Sequence, residues 1–283
     1  GQTPEICPAD KKLYALRDVT ATVESIPLIC YSILSKKLAE GTDVLVGDVK
    51  FGRGAFMQEK AQARELAQTL VRVATAMGTP MRAVLTAMHE PLGRAVGNAL
   101  EVAESIDCLR GRGPADTMDV TFALGEQMLL LTNVAASPEA ARTQLEMGVA
   151  SGAALRKFRE MIAAQGGDAR VADDPARLPQ ARLQVPVTAP RAGFVQDVDA
   201  LGVALAALRL GAGRAKADDK IDPTVGVSAL VKIGERVESG GLLCVIHAND
   251  GHALAEARAM LAEAIVVGDT PGVAPRLIDE IIG

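Results

Sequence analysis

The sequence predicts an α/β protein: a parallel-type mixed sheet with flanking helices, an N-terminal helical piece ahead of it and a C-terminal β-rich, barrel-sandwich-like module behind it. Three observations carry this prediction. Val44–Val49 is a short apolar, β-branched run that passes through a glycine turn into a long helical pattern and then into a second such run, Met81–Thr86. Strand, turn, helix and strand in that order form a βαβ unit, whose strands lie parallel beneath the covering helix. Residues 9–40 before it read as two short helices, whereas the last hundred or so residues turn to short strand candidates separated by glycine turns.

Of the two opening helices, the second runs from about Pro27 to Ala39 and stops at Gly41. Ser25 stands where a cap belongs and Pro27 in a first turn, the positions these residues favour. After the strand Val44–Val49 and the turn Gly52-Arg53-Gly54, the helical pattern from about Gln58 to Met77 ends at Gly78 with Pro80 beyond. Pro91 opens a further helical stretch to about Leu109, closed by Gly111-Arg112-Gly113-Pro114. An apolar helix follows over Thr117–Leu131, then two more between Pro138 and about Ala164, with Ser137 at the start. The polar, proline-containing residues 168–182 mark a boundary, giving units at 1–40, 41–182 and 183–283. In the last unit Val185–Val187, Gly193–Val198 and Leu242–Ile246 read as strands, Ile233–Gly240 as a turn and Ala253–Ala264 as an amphipathic helix. The glycine pattern before Leu242 resembles that of the barrel-sandwich modules of lipoyl and biotinyl carriers, but no lysine stands in the setting such a carrier modifies.

Composition narrows the function. Of 283 residues 49% are hydrophobic but only 2% aromatic, with no Trp, so the core is built from aliphatic side chains. With a net charge of −5 and few aromatics, the chain lacks the basic, stacking surface that nucleic acid needs. Cys7, Cys30, Cys108 and Cys244 are far apart and His89, His247 and His252 form no ligand pair, which reads as free thiols in a reducing compartment rather than disulfides or a zinc site. No apolar run is long enough to span a bilayer and GQTPEICPADKK is no signal peptide, so a soluble cytoplasmic protein is expected.

The stretch Tyr14–Lys37 carries polar groups that a plain core helix does not need. Ser32 and Lys36 lie four apart on one helix face, with Arg17-Asp18 close by in sequence. A hydroxyl, an ammonium and a guanidinium together suit a small ligand with carbonyls or developing negative charge. Other groups have simpler readings. Gly52-Arg53-Gly54 sits where a phosphate loop would, yet is neither G-x-G-x-x-G nor a P-loop, and turn geometry explains it better. Leu210-Gly211-Ala212-Gly213-Arg214 reads as a helix C-cap. His89-Glu90 reads as a solvated loop at a strand end and Glu101 with Glu104 as solvated helix charge, while Asp48 with Lys50 reads equally as a functional pair or as edge charges. There is no G-x-S-x-G for serine hydrolysis.

LYALRDVTATVESIPLI, SKKLAEGTDVLVGDVKFGRGAFM, PLGRAVGNALEV and LGAGRAKADDKID resemble, in order, segments of the pyrimidine nucleoside phosphorylases, which include the thymidine phosphorylases. The similarity runs from Gln2 to about Ile281, with AAQGGDA and GAGRAK nearer the broad-specificity pyrimidine type. The resemblance implies an enzyme that cleaves a pyrimidine nucleoside with inorganic phosphate to free base and pentose 1-phosphate, with no organic cofactor. It implies that Arg17, Ser32 and Lys36 contact the pyrimidine, that Phe56 forms apolar wall, and that Leu92, Ala95 and Glu104 belong to a monovalent cation (potassium) site completed from upstream. It implies a cytoplasmic homodimer in nucleoside salvage, with no membrane or nucleic-acid partner. Two departures stand out. The family's phosphate loop and most of its helical domain precede the segment where this chain starts, so the chain alone is expected to be an inactive C-terminal fragment; the alternative is a non-catalytic binding or structural module on the same fold. Tyr31 replaces a small family residue next to Ser32.

Overall fold

The computed structural model of the chain describes residues 7–19, 22, 25–214, 216 and 219–283, and the side chains of all of these except Lys11, Tyr14, Ala15, Asp18 and Val19. Thr20, Ala21, Val23 and Glu24 of the opening stretch and Ala215, Ala217 and Asp218 of the later glycine segment lie outside the described residues. Two helices open the chain, α1 (Pro8–Val19) and α2 (Ile26–Ala39). Pro27 takes the first turn of α2, but Ser25 makes no side-chain capping bond. Glycine at φ 71° turns the chain away at Gly41, a left-handed conformation that costs glycine nothing.

The strand β1 (Leu45–Phe51), the helix α3 (Lys60–Ala76) and the strand β2 (Met81–Ala87) form the expected βαβ unit. The strands are parallel, in register from Leu45 opposite Met81 to Phe51 opposite Ala87. On α3, Ala63, Leu66, Ala67, Leu70 and Ala74 are buried, the three-and-four spacing of a single helical face. That face packs in one core with Val49, Met81, Ala83 and Leu85 of the strands and with Cys30 and Leu34 of α2. The apolar side of α2 is therefore covered by α3.

The helix α4 spans Asn98–Leu109 rather than starting at Pro91. The intervening residues form a loop that a helix could not replace. Gly93 and Gly97 hold φ of 73° and 140°, and Val96 exchanges two backbone hydrogen bonds of 2.8 Å with Val227. The helices α5 (Ala115–Leu131), α6 (Pro138–Ala150) and α7 (Ala153–Ala164) follow. Ser137 caps α6 by accepting from the Ala140 amide at 3.2 Å. The boundary segment carries two short 3₁₀ turns, Ala169–Ala172 and Pro175–Arg177.

The C-terminal part contains β3 (Leu183–Thr188), β4 (Gly193–Val198), α8 (Ala200–Leu210), β5 (Gly226–Ser228), β6 (Arg236–Val237), β7 (Leu242–Ala248), α9 (Gly251–Ala264) and β8 (Ile265–Gly268). They make two antiparallel sheets, ordered β3-β7-β5 and β6-β4-β8, and no barrel closes among the described residues. Valine, leucine and isoleucine from both sheets and from α8 and α9 share one core, in which Val195, Val203, Val227, Ile246 and Leu261 are wholly buried. The final strand β9 (Ile278–Ile282) leaves this module and pairs antiparallel with β2, giving the first sheet the order β1-β2-β9. Sequence reading leaves those residues with the C-terminal module. Four of the nine strands among the described residues, β5, β6, β8 and β9, have no counterpart among the sequence predictions. No helix among the described residues is long and apolar enough to cross a membrane.

Candidate functional site

One turn of α2 separates Ser32 from Lys36, and the Lys36 ammonium donates to Ser32 Oγ at 2.9 Å. A third residue joins them from α1. Asp10 Oδ2 accepts from Ser32 Oγ at 3.1 Å and from Lys36 Nζ at 2.6 Å. Asp10, Ser32 and Arg17 are all buried, so these contacts are only weakly screened. Arg17 Nη1 donates to the Leu28 carbonyl at 3.4 Å, fixing the guanidinium against the first turn of α2. A cleft of about 490 Å³ opens beside these groups. Arg17, Ser32, Asp48, Lys50 and Phe56 line it, and Leu66 and Leu70 of α3 form its apolar floor. Arg17, Ser32 and Phe56 thus meet in one cleft. Lys36 is not on its wall but is bonded to Ser32, which is. Tyr31 is exposed and is not part of the lining.

Asp48 and Lys50 pair at 2.8 Å. Thr86, wholly buried on β2, donates to Asp48 Oδ1 at 2.5 Å and accepts from Lys50 at 3.1 Å. Neighbouring strands thus hold both charges at the cleft edge.

The loop 91–97 forms a second polar centre. Its amides point at carboxylates: Gly93 N–H donates to Asp116 at 3.0 Å, Arg94 N–H to Glu104 at 2.8 Å and Gly97 N–H to Glu101 at 2.9 Å. Glu101 therefore caps its own helix while remaining exposed, a solvated helix charge with one added duty. Burial pushes the Glu104 carboxyl above its ordinary pKa, with Asp116 and Glu101 adding to the rise, while the Arg94 and Ala95 amides pull the other way. Among the described residues Glu104 makes no ion pair. Of the loop carbonyls, those of Pro91 and Gly93 accept from Lys232, that of Arg94 from Leu230 N–H and that of Val96 from Val227 N–H. No described residue donates to the carbonyls of Leu92 and Ala95. The Thr117 hydroxyl is buried without a partner among the described residues. It lies 2.9 Å from where a Cβ on Gly93 would stand, a point that Glu104 Oε2 already crowds. Two free carbonyls, an orphan hydroxyl and a half-buried carboxylate without a counter-ion are hard oxygen donors of the type that group 1 cations take. Ala95 and Glu104 line one cavity of about 520 Å³, whereas Leu92 lines a separate one of about 210 Å³.

The remaining sequence candidates have structural duties. A Cβ at Gly54 would stand 2.5 Å from the Ala200 Cβ, and one at Gly52 3.0 Å from the Met88 carbonyl carbon. Arg53 between them is bound to Asp197 by both terminal nitrogens, at 2.7 and 2.5 Å. Gly211 is a left-handed cap at φ 105°. His89 sets its ring edge-on to Phe51, 6.1 Å between centroids, and Glu90 accepts from Ile233 N–H at 3.1 Å. All four cysteines are free thiols, and burial raises Cys108 to about 11 and Cys244 to about 12, so neither is a nucleophile at neutral pH. Asp10, Asp116 and Lys232 are the site residues that sequence reasoning missed. Nothing in their local pattern sets them apart from surface charge.

Comparison with known proteins adds a separate line. Residues 1–155 match the family model of the a/b domain of a glycosyl transferase family, and residues 194–268 that of the pyrimidine nucleoside phosphorylase C-terminal domain. The pyrimidine-nucleoside phosphorylase of Bacillus subtilis (strain 168) is 49% identical over 249 residues, which are 88% of this chain and 58% of the relative. That of Staphylococcus aureus (strain USA300) matches with the same identity and coverage. The chain therefore spans less than two thirds of the length of these relatives.

Proposed function

Because the chain belongs to the pyrimidine nucleoside phosphorylase family, we propose that it supplies the pyrimidine-recognising part of an enzyme that transfers a pentosyl group from a pyrimidine nucleoside to inorganic phosphate. The observation that carries this reading is the placing of Ser32 and Arg17 on the wall of one cleft, with Lys36 bonded directly behind Ser32.

In this reaction a phosphate oxygen forms a bond to the anomeric carbon while the bond from that carbon to the base nitrogen breaks. The electron pair of the broken bond goes to the base, whose ring and carbonyl oxygens become negative. Donors fixed in a dry site stabilise that charge more than they stabilise the neutral ground state, which is what lowers a barrier. Arg17 offers a rigid fork to a carbonyl and Lys36 a point charge held behind Ser32. Leu66, Leu70 and the exposed ring of Phe56 supply the apolar surface against which a flat base lies.

The reading extends to the loop 91–97. Leu92 and Ala95 through their carbonyls, and Glu104 through its carboxylate, would hold a monovalent cation such as potassium, and the cation would neutralise the half-buried carboxylate. It extends also to the division at residues 40 and 182, to a homodimer of the longer protein acting in cytoplasmic nucleoside salvage, and to phosphate as co-substrate with no organic cofactor. Neither glycine turn of this chain is assigned to phosphate. Gly52–Gly54 closes on His89 and Ala200, and Gly211 ends a helix. The chain by itself is accordingly expected to bind base without turning nucleoside over. The test is a titration of the purified chain with uracil and with thymine, followed by Ser32 and Lys36 NMR signals, beside an assay for free base released from uridine and phosphate. Shifts at both residues without turnover support the reading. No shift with either base, or release of base at an enzymatic rate, overturns it.

A further inference from the structure

The Lys232 ammonium is the group around which the loop 91–97 is folded, and it comes from far along the chain. It is only 14% exposed. An ammonium carries three donors, and all three are used: on the Pro91 carbonyl at 2.5 Å, the Gly93 carbonyl at 3.2 Å and Asp116 Oδ2 at 2.8 Å. Asp116 in turn accepts the Gly93 amide at 3.0 Å and that of Thr117 at 2.8 Å. Gly93 is thereby gripped by its carbonyl and its amide at once, through one ion pair. Further along, Leu230 N–H takes the Arg94 carbonyl at 3.0 Å and Val227 N–H the Val96 carbonyl at 2.8 Å. Arg94 closes the grip on its other side, donating to the Leu230 carbonyl at 3.0 Å and to both oxygens of Glu235.

Four of the loop's carbonyls are thus taken by residues 227–232, and the two that no described residue takes are those of Leu92 and Ala95. Charge follows the same division. Lys232 is balanced by Asp116, with Glu90 3.5 Å away, and Arg94 by Glu235, which leaves Glu104 without a counter-ion among the described residues.

We propose that Lys232 is a positioning residue for cation binding: by drawing the Pro91 and Gly93 carbonyls to itself, it presents those of Leu92 and Ala95, with Glu104, to a monovalent cation. The C-terminal module then sets the cation affinity of a loop that it does not itself contain. This inference rests on the cation site assigned above, and the two are separable by experiment.

The chain, labelled with ¹³C at its carbonyls, is moved from tetramethylammonium chloride to potassium chloride at constant ionic strength, and the Leu92 and Ala95 carbonyl shifts are followed with potassium concentration. The unaltered chain is expected to show a saturable, potassium-specific shift at both carbonyls, absent in Glu104→Gln. Lys232→Met is expected to weaken the apparent affinity about tenfold or more, the usual loss when a group that orients metal ligands is removed. Lys232→Met leaves Asp116 buried without its partner, so the charge-matched pair Lys232→Met/Asp116→Asn is measured beside it, with the circular dichroism spectrum as the check on folding. Potassium affinity unchanged in a folded variant of either kind overturns the role of Lys232 and leaves the cation site standing. A response absent from the unaltered chain overturns the site itself, and this inference with it.

Discussion

Asp10 Oδ2 lies 2.6 Å from Lys36 Nζ and 3.1 Å from Ser32 Oγ, so a carboxylate from the first helix stands on the two donors that the second helix offers. It sets the side chain of Lys36, the longer and freer of the pair, in one place before any ligand arrives. Asp10 is also a fastening point for α1. Asp10→Ala is expected to remove about 1.5–3 kcal/mol of local stability, the worth of hydrogen bonds to a charged group. Hydrogen exchange should then quicken across α1 while the amides of α3 and β2 keep their protection. Unchanged exchange in α1 would show that other contacts hold that helix.

Lys36→Ala and Ser32→Ala are expected to weaken binding of uracil or thymine in different degrees. Loss of a neutral hydroxyl costs about 1 kcal/mol and loss of a charged donor about 1.5–3 kcal/mol. The far-ultraviolet circular dichroism should not change, because neither side chain belongs to the buried apolar core shared by α2 and α3. Titration calorimetry giving parental affinity for both variants would move the base elsewhere.

Glu104 has the opposite pH linkage from an ordinary paired carboxylate. Burial first, then Asp116 and Glu101, raise its pKa in the folded chain. The folded state therefore holds that proton more tightly than the unfolded one, and stability falls as pH rises from the unfolded carboxylate range of about 4.3 through the raised folded value. In potassium-free buffer at pH 7, Glu104→Gln is expected to raise the melting temperature, and the gain should vanish below about pH 4, where both forms are neutral. A variant that melts lower at pH 7 would mean that the carboxylate is net stabilising as it stands.

Asp116 gives the complementary limb. Burial tends to raise its pKa, but the hydrogen bond and charge of Lys232 and the amides of Gly93 and Thr117 outweigh that and hold it low. Its contribution is present above the unfolded carboxylate range and is lost as pH falls through the depressed folded value. Asp116→Asn should flatten the acid limb of the stability curve below about pH 4. An acid limb of unchanged steepness would discount the Lys232 pair.

Gly226 is where β5 meets the loop 91–97. Its φ is 147°, and an added Cβ would overlap the Val96 carbonyl oxygen and reach within 3.0 Å of the Gly97 Cα. Gly226→Ala is expected to cost about 3 kcal/mol, combining backbone strain with overpacking against backbone that cannot yield. Chemical denaturation should show it as a lower midpoint. A loss under about 0.5 kcal/mol, the range of an ordinary surface change, would contradict the close approach.

Long, strongly patterned elements were legible in the sequence, because their period and punctuation are local. The βαβ unit and the helices α5 and α9 lie within a few residues of their predicted bounds. Pro91–Gly97 misleads because proline commonly opens helices, whereas here the segment is held open by Val227, far along the chain. The strands β5 and β6 are too short to carry a period of their own. Arg17, Ser32 and Lys36 stood out from the residues as a donor-rich set, and a role toward a base came from the resemblance alone. Asp10 did not stand out, since it reaches its partners across 22 and 26 residues. Lys232 acts across 141 residues on the Pro91 carbonyl, a separation at which no spacing rule operates.

The return of Ile278–Ile282 to pair with β2 imposes an order on biosynthesis. A ribosome has delivered β1, α3 and β2 long before the strand that completes their sheet leaves the exit tunnel, and the whole C-terminal module emerges in between. For that interval β2, the most deeply buried strand of the first sheet, has one edge bare. An open edge of Ala83, Val84 and Leu85 is a template for a neighbouring nascent chain as well as for its own last strand. The module must therefore collapse quickly enough to bring its tail home, and a polysome crowded with this message is the place where failure to do so would first be seen.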